Sequence, residues 1–219
     1  MPVRGKFEDD LNNLEGRLVH LVQMTAKALE SAMKALDTHD VEMAIKIMED
    51  DTKINILYEE INDFAILLIA KQQPVAIDLR RIIVSIKIAT DVERIADFAV
   101  NIAKSTIRIG QEPHIKEIKR LKKMYEITSN MLKDALIAYQ EEDLGIAKKV
   151  ADLDNEVDAL YGEVIKDLFH LNNQHADNYD QIIQMLFINR YLERAADHIT
   201  NIAEHVFYLV KGKQYDLNE

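Results

Sequence analysis

Two stretches of the sequence decide the fold: DVERIADFAVNIA at residues 91–103 and YLERAADHITNIA at residues 191–203. Neither contains Gly or Pro, and apolar residues recur in both at intervals of three and four, so we predict the interior of an α-helix in each. Each stretch places a Glu, an Asp and an Asn at i, i+4 and i+8, a polar strip about 12 Å long on one helix face. Like charges four residues apart repel by a few tenths of a kcal/mol. Because both copies keep this arrangement, it predicts a gain that offsets the repulsion, and clustered side-chain oxygens most often bind a hard cation.

The composition indicates a helical protein. Of 219 residues, 48% are hydrophobic and 30% charged, with only three prolines and six glycines, a balance that favours helices over disorder. The formal net charge of -11 argues against binding to bulk nucleic acid. The lack of cysteine excludes disulfides and thiolate metal ligands. Because no apolar run approaches the roughly 20 residues of a membrane span, and the first ten residues lack a signal-peptide core, we expect a soluble, cytoplasmic protein without membrane insertion.

Apolar spacing and its interruptions predict six helices. They run from about Phe7 to Asp37, Val41 to Lys71, Val75 to Arg108, Ile115 to Glu141, Leu144 to Leu171 and Asn178 to Lys211. Asp40 is a good N-cap for the second helix, Gly110 and Pro113 make the strongest break, and Gly212 closes the last helix. Short loops make sequential helices antiparallel neighbours. We therefore predict an all-α fold of two tandem, internally repeated antiparallel three-helix bundles, with domains at residues 1–110 and 111–219.

The second half of the chain repeats the first. Around the second and fifth helices the copies match at an offset of 103, so Asp51 and Asn55 correspond to Asp154 and Asp158. In the third and sixth helices the offset is 100, and it aligns the two polar strips. If the second helix of each half faces the third at this level, carboxylate and amide side chains from both helices meet at one patch in each half.

These patches supply the candidate metal ligands. They are Asp51, Asn55, Glu93, Asp97 and Asn101 in the first half, and Asp154, Asp158, Glu193, Asp197 and Asn201 in the second. Oxygen ligands favour hard cations and iron over copper, and zinc also accepts carboxylates. We expect iron or zinc ahead of manganese or magnesium, and no organic cofactor.

Two other interpretations of the carboxylates stay open. A pair of acids at i, i+4 is usually a solvated helix face, and Arg94 and Arg194 could pair with acids of another helix in a purely structural network. His198 follows Asp197 directly and could add a metal ligand, although such a His is more often a surface or interface residue.

Signatures of catalysis are missing from the sequence. It has no Gly-rich phosphate loop and no Ser, His and Asp arrangement of a nucleophilic enzyme. The Glu-x-x-His pairs of ferritin-like di-iron bundles are also missing. We therefore predict that the protein is not an enzyme. The alternative is a metal-dependent enzyme or a metal-storage helical bundle.

Three segments carry a resemblance to a known family. ERIAD at residues 93–97 and ERAAD at residues 193–197, each with an Asn four residues further on, resemble the paired Glu-Arg-x-x-Asp motifs of the PhoU family. The turn QQPVAIDLR at residues 72–80 is similar to the family's Gln-Pro-x-x-x-Asp-Leu-Arg segment. Together with the duplicated halves, the resemblance covers nearly the whole chain.

This resemblance implies a function and partners. PhoU proteins regulate phosphate transport and signalling in bacteria, and are similar to one another in being cytoplasmic, often dimeric and non-enzymatic. It implies a homodimeric negative regulator that couples the phosphate ABC transporter, through its ATPase, to a sensor histidine kinase. The chain departs from the family pattern at Ala96 and Ala196, where Gly is common, and at Asn55, where Asp is common. Since a neutral ligand weakens cation affinity, we expect the second half to bind metal more tightly than the first.

Overall fold

Six α-helices form the framework of the molecule. The structure is a computed structural model, and it describes residues 2–111, 113–115, 118–172 and 179–217. The helices are α1 (Pro2–Thr38), α2 (Val41–Gln72), α3 (Ala76–Ile109), α4 (Lys119–Glu141), α5 (Leu144–Asn172) and α6 (Tyr179–Lys211). The residues in those ranges form no β-strand, and the prediction of an all-α fold is confirmed.

Local signals end the helices as the sequence predicts. Asp40 has an extended backbone, and its side chain accepts a hydrogen bond from the Met43 N–H at 2.8 Å, so it caps α2. Asp143 caps α5 in the same way, since its carboxylate accepts from two N–H groups of the first turn at 2.7 and 3.0 Å. Gly110 and Gly212 end α3 and α6 with φ values of 74° and 71°, which are costly for residues with a Cβ.

Two predicted helix starts are wrong, and one of them is that of α4. Helix α4 begins at Lys119, four residues after the predicted start at Ile115. The Gln181 side chain on α6 donates to the Pro113 carbonyl at 3.3 Å and accepts from the Ile115 N–H at 2.7 Å. These bonds lie on either side of His114 and point the same way, an arrangement typical of an extended chain. The contact with α6 therefore delays the start of the helix.

The other wrong start is that of α1, which lies five residues before the predicted one. Helix α1 begins at Pro2 rather than Phe7, because a proline in the first turn lacks only an N–H that would have no intrahelical partner. The predicted start of the last helix, Asn178, lies outside the described residues. Every other predicted helix end agrees with the structure to within one residue.

The two halves lie side by side and share a core. Within each half the three helices pack on one another, and the halves meet mainly along α3 and α6, with a smaller contact between α1 and α4. Helices α3 and α6 run antiparallel, because Arg80 near the start of α3 donates to the Leu209 carbonyl near the end of α6 at 3.1 Å. Buried apolar side chains of both halves form one cluster. The tandem three-helix bundles are confirmed, whereas the domain limits, 1–110 and 111–219, stay a prediction.

Candidate functional site

Both polar patches lie at the edge of the core of their own half. We call Asp51, Asn55, Glu93, Asp97 and Asn101 the first strip, and Asp154, Asp158, Glu193, Asp197 and Asn201 the second strip. The apolar neighbours of the first strip on α3, including Val92 and Ile95, are fully buried. Most strip residues are half-buried, but Asp154 is buried and Asp158 is exposed. Each helix thus places its strip where apolar packing meets solvent.

In the first strip, carboxylates of α2 and α3 lie close enough to repel one another. Burial raises the pKa of Asp51, and the charge of Asp97 raises it further. The pKa of Glu93 is raised by the same two causes. Hydrogen bonds compensate in part, because Asn55 Nδ2 donates to Asp51 Oδ2 at 3.0 Å and Arg94 donates to Asp97 Oδ2 at 3.1 Å.

The second strip is less well compensated. Burial and the charges of Asp197 and Asp158 raise the pKa of Asp154 to about 7. Burial also raises the pKa values of Glu193 and Asp197, although Arg190 forms an ion pair with Glu193. Among the described residues, Asp154 Oδ1 and Glu193 Oε2 are buried without a hydrogen-bond partner. Near neutral pH, this strip therefore favours the uptake of a proton or a cation.

A metal ion needs suitable donor atoms, and those atoms must lie close to a common point. The unpartnered carboxylate oxygens of Asp154 and Glu193 are suitable donors for a cation. Within the described ranges, however, no three Asp, Glu or His side chains are close enough together to hold a metal ion. Binding would require side chains of the strip to turn toward a common point, so the metal ligands remain a prediction.

A buried carboxylate between the two halves was missed by the sequence analysis. Asp91 on α3 is 8% exposed, and its Oδ1 lies 2.8 Å from His198 Nδ1 and accepts from Asn201 Nδ2 at 3.2 Å. Its Oδ2 lies 3.0 Å from His205 Nε2. Although burial acts to raise the pKa of Asp91, bonds to the two histidines and to Asn201 lower it overall. His198 is thus an interface residue, and the amide of Asn201 ties the second strip to α3.

The signal for this cluster was a mismatch between the two copies. At the offset of 100, Asp91 corresponds to Tyr191 and His198 corresponds to Phe98. Tyr191 stacks on Phe98 with ring centroids 6.2 Å apart, so the same pair of positions is polar on one side of the interface and aromatic on the other. Asn101, the counterpart of Asn201, is half-buried on α3. Paired departures in an otherwise matching repeat indicate a contact between the halves.

Comparison with known proteins assigns the chain to a family. The model of the PhoU domain matches twice, at residues 18–106 and 121–206. The chain belongs to the PhoU family. Crystal structures of PhoU from Pseudomonas aeruginosa and of the phosphate transport system regulatory protein PhoU from Streptococcus pneumoniae each match with a TM-score of 0.90. They are 29% and 30% identical to this chain, cover 94% and 96% of it, and are themselves covered over 100% and 99% of their length.

Relatives of known sequence extend over both halves. The phosphate-specific transport system accessory protein PhoU homolog of Clostridium acetobutylicum is 40% identical, over 97% of this chain and 98% of its own. The phosphate-specific transport system accessory protein PhoU of Escherichia coli K12 is 28% identical, over 97% of this chain and 88% of its own. As for membranes, none of the helices described for this PhoU chain has the length and apolar content to span one.

Proposed function

We propose that this protein is a regulatory adaptor of phosphate uptake and signalling. The supporting observation is the PhoU domain in both halves, together with full-length relatives named as accessory proteins of phosphate-specific transport. Those names describe accessory and regulatory proteins rather than enzymes. Long amphipathic helices also suit an adaptor, because their outer faces offer extended surfaces to protein partners.

The adaptor role requires protein partners and an assembly state. We infer from family membership that the partners are the ATPase of the phosphate ABC transporter and a sensor histidine kinase. The protein would act in the cytoplasm as a homodimer, and it would restrain the kinase while phosphate is plentiful. The net charge of -11 supports protein partners over nucleic acid.

A deletion strain tests the adaptor role. Removal of the gene should leave phosphate-starvation genes expressed in high phosphate, and reintroduction of the intact chain should restore repression. Pull-down of the tagged protein should recover the transporter ATPase and the kinase. Normal repression in the deletion strain, with neither partner recovered, would contradict the proposal and favour a metal-dependent enzyme or metal storage.

We further propose that the strips bind iron or zinc, with the second strip as the stronger site. Asp154, Asp158, Glu193 and Asp197 would hold the ion, and the ion would neutralise carboxylates that burial and mutual repulsion now disfavour in the charged form. In the first strip the amide of Asn55 already offsets part of this repulsion.

Elemental analysis of protein purified without chelator tests metal binding directly. We expect iron or zinc above background, and a reduced content in a variant with Asp154→Asn and Asp158→Asn. A matched variant, Asp51→Asn, should lose less, because it alters the weaker strip. A wild-type protein without transition metal, and without response to titrated iron, zinc or manganese, would indicate that the strips are structural.

A further inference from the structure

Two histidine rings are in contact at the junction between the halves. His39 follows α1, in a left-handed conformation with φ of 55°. His114 lies in the segment that joins the two halves, between the end of α3 and the start of α4. The ring centroids are 4.1 Å apart and the ring planes are tilted by 37°. The pair therefore joins the α1–α2 turn of the first half to the connection that leads into the second.

Hydrogen bonding shows which form of the rings this contact accepts. His114 Nε2 lies 2.9 Å from the Leu36 carbonyl, and because a carbonyl only accepts, Nε2 carries the proton. Neutral His114 then has a lone pair on Nδ1. The Nδ1 atoms of His39 and His114 are both buried, and neither has a hydrogen-bond partner among the described residues. A proton added to His114 would create a buried N–H without an acceptor and a positive charge against the other ring.

Charged groups near the pair do not remove this penalty. Asp37 on α1 forms an ion pair with Lys122 on α4, with Oδ1 and Nζ 2.5 Å apart, so its charge is largely balanced. Asp40 at the start of α2 uses its carboxylate to cap that helix. Burial is the largest cause and lowers the pKa of His114, the hydrogen bond to the Leu36 carbonyl opposes it in part, and the neighbouring His39 lowers the pKa further against a smaller opposing effect of Asp37.

The segment that contains His114 is held from both halves. On one side His114 contacts Leu36 and His39 of the first half. On the other side Gln181 of α6 binds the backbone on either side of His114. Loss of the histidine contact would remove the hydrogen bond to Leu36 and leave the bonds to Gln181 in place.

We propose that the His39 and His114 rings form an acid-sensitive latch, which holds residues 113–115 against the first half while His114 is neutral and releases them when His114 is protonated. The direction in which pH changes the stability of the latch follows from the lowered pKa of His114. Between the ordinary value of 6.5 and the lower value in the closed state, the open state binds more protons, so the latch is most stable above pH 6.5 and weakens as the pH falls below it.

The second half has, at the equivalent turn, a contact between the halves that contains no histidine. Glu142 occupies the position equivalent to His39, at the offset of 103, and has a similar left-handed φ of 52°. Its Oε1 accepts a hydrogen bond from Arg81 of the first half at 2.9 Å. The two turns thus provide one contact between the halves that contains histidine and one that does not.

Hydrogen exchange of the full chain, corrected for the intrinsic pH dependence of exchange, tests the latch. Between pH 7.5 and 5.5, opening measured at the Asp40 amide, next to His39, should increase severalfold. The Ile115 amide, which Gln181 holds, should keep its protection. Amides in the centre of α3 should not change. In the double variant His39→Asn, His114→Gln the increase should disappear, because Asn tolerates the left-handed conformation and Gln can still donate to the Leu36 carbonyl.

Two controls make the result specific. His20→Asn, which removes an exposed histidine, should retain the pH response. Glu142→Gln, which weakens the contact with Arg81, should raise opening by the same factor at pH 7.5 and at pH 5.5. An unchanged pH response in the double variant, or no response in the wild-type protein, would overturn the proposal. So would NMR titration of the wild-type protein in which His114 protonates at or above pH 6.5, its ordinary value, a measurement that needs no substitution.

Discussion

The two strips occupy equivalent positions in the two halves, yet their carboxylates lie in different electrostatic surroundings. In the first strip Asn55 donates to Asp51, and Arg94 binds Asp97. In the second strip an acid, Asp158, replaces the amide donor. Arg194, the counterpart of Arg94, lies over the Phe98 ring at 5.2 Å. The second strip has gained a negative charge and directs one arginine toward an aromatic ring.

The difference between the strips shows that two repeats can keep the same spacing of polar residues and yet differ in electrostatics through substitutions at very few positions. The pKa of Asp154 is raised to about 7, whereas that of Asp51 is raised without reaching a comparable value. Burial is the largest cause in both. At Asp154 the acids Asp197 and Asp158 add repulsion that Thr200 offsets in part. At Asp51 one acid, Asp97, adds repulsion that Asn55 offsets in part. The stability of the two halves should therefore respond differently to pH and to cations.

The largest expected effect is that of Asp154→Asn on stability. An Asp whose folded-state pKa is raised contributes stability that is complete below about pH 4 and is lost as the pH rises through about 7. The neutral amide avoids this loss, so the variant should be more stable than the wild type by about 4 kcal/mol at pH 8, with a difference that shrinks toward pH 4. Urea denaturation of chelator-treated protein measures this.

Asp51→Asn is the matched control for that measurement. It should give a smaller gain at pH 8, because Asn55 already stabilises the Asp51 carboxylate. Equal gains from the two substitutions, or a loss of stability at pH 8 for Asp154→Asn, would contradict the difference between the strips.

The second-largest effect should be that of Asp158→Asn on metal affinity. Asp158→Asn makes the second strip resemble the first, and loss of one anionic ligand should weaken Zn²⁺ or Mn²⁺ binding about tenfold, or about 1.4 kcal/mol. Isothermal titration calorimetry measures the change. An affinity that is unaffected by Asp158→Asn would place the ion elsewhere in the molecule.

The reverse exchange, Asn55→Asp, should make the first strip resemble the second. It removes the hydrogen bond to Asp51 and places two carboxylates four residues apart. We expect a loss of about 1 kcal/mol at pH 8, recovered at acid pH, and a further rise in the pKa of Asp51. Carboxyl-detected NMR titration follows this pKa, and an unshifted Asp51 would show that Asn55 does not control it.

The smallest effects should come from the arginines. Arg94 and Asp97 have side chains that are 54% and 40% exposed, so Arg94→Gln should cost less than about 0.5 kcal/mol and nothing measurable at high salt. Arg194→Gln removes a cation–π contact with Phe98 and should cost about 0.5 kcal/mol with little dependence on salt. Denaturation midpoints at low and high NaCl distinguish the two contacts.

Features set by neighbouring residues were predictable from the sequence. Asp40 caps the turn that follows it, and Gly110 ends a helix because of its own backbone conformation. The pairing of Glu93 with Asp97 on one face of α3 follows from helical spacing alone. These signals reach no further than four residues, which is why most helix ends were predicted to within one residue.

Features set by tertiary contacts were not predictable. The start of α4 depends on Gln181, which is 66 residues from Ile115. The partners of Asp91 lie more than 100 residues away, and no local pattern connects His205 to it. The protonation of Asp154 depends on burial and on charges from α6. Such contacts become visible only once the helices are packed.

The unequal interface between α3 and α6 has a consequence for how the halves can associate. Were two first halves to pair through this surface, Asp91 would face Phe98, Asn101 and Ser105, and a buried carboxylate would lose both histidines. Such a loss typically costs several kcal/mol. Two second halves would place Tyr191 against His198 and His205, without an acid between them. Each half is therefore specific for the other, and fusion in one chain supplies them in the one-to-one ratio that this specificity demands.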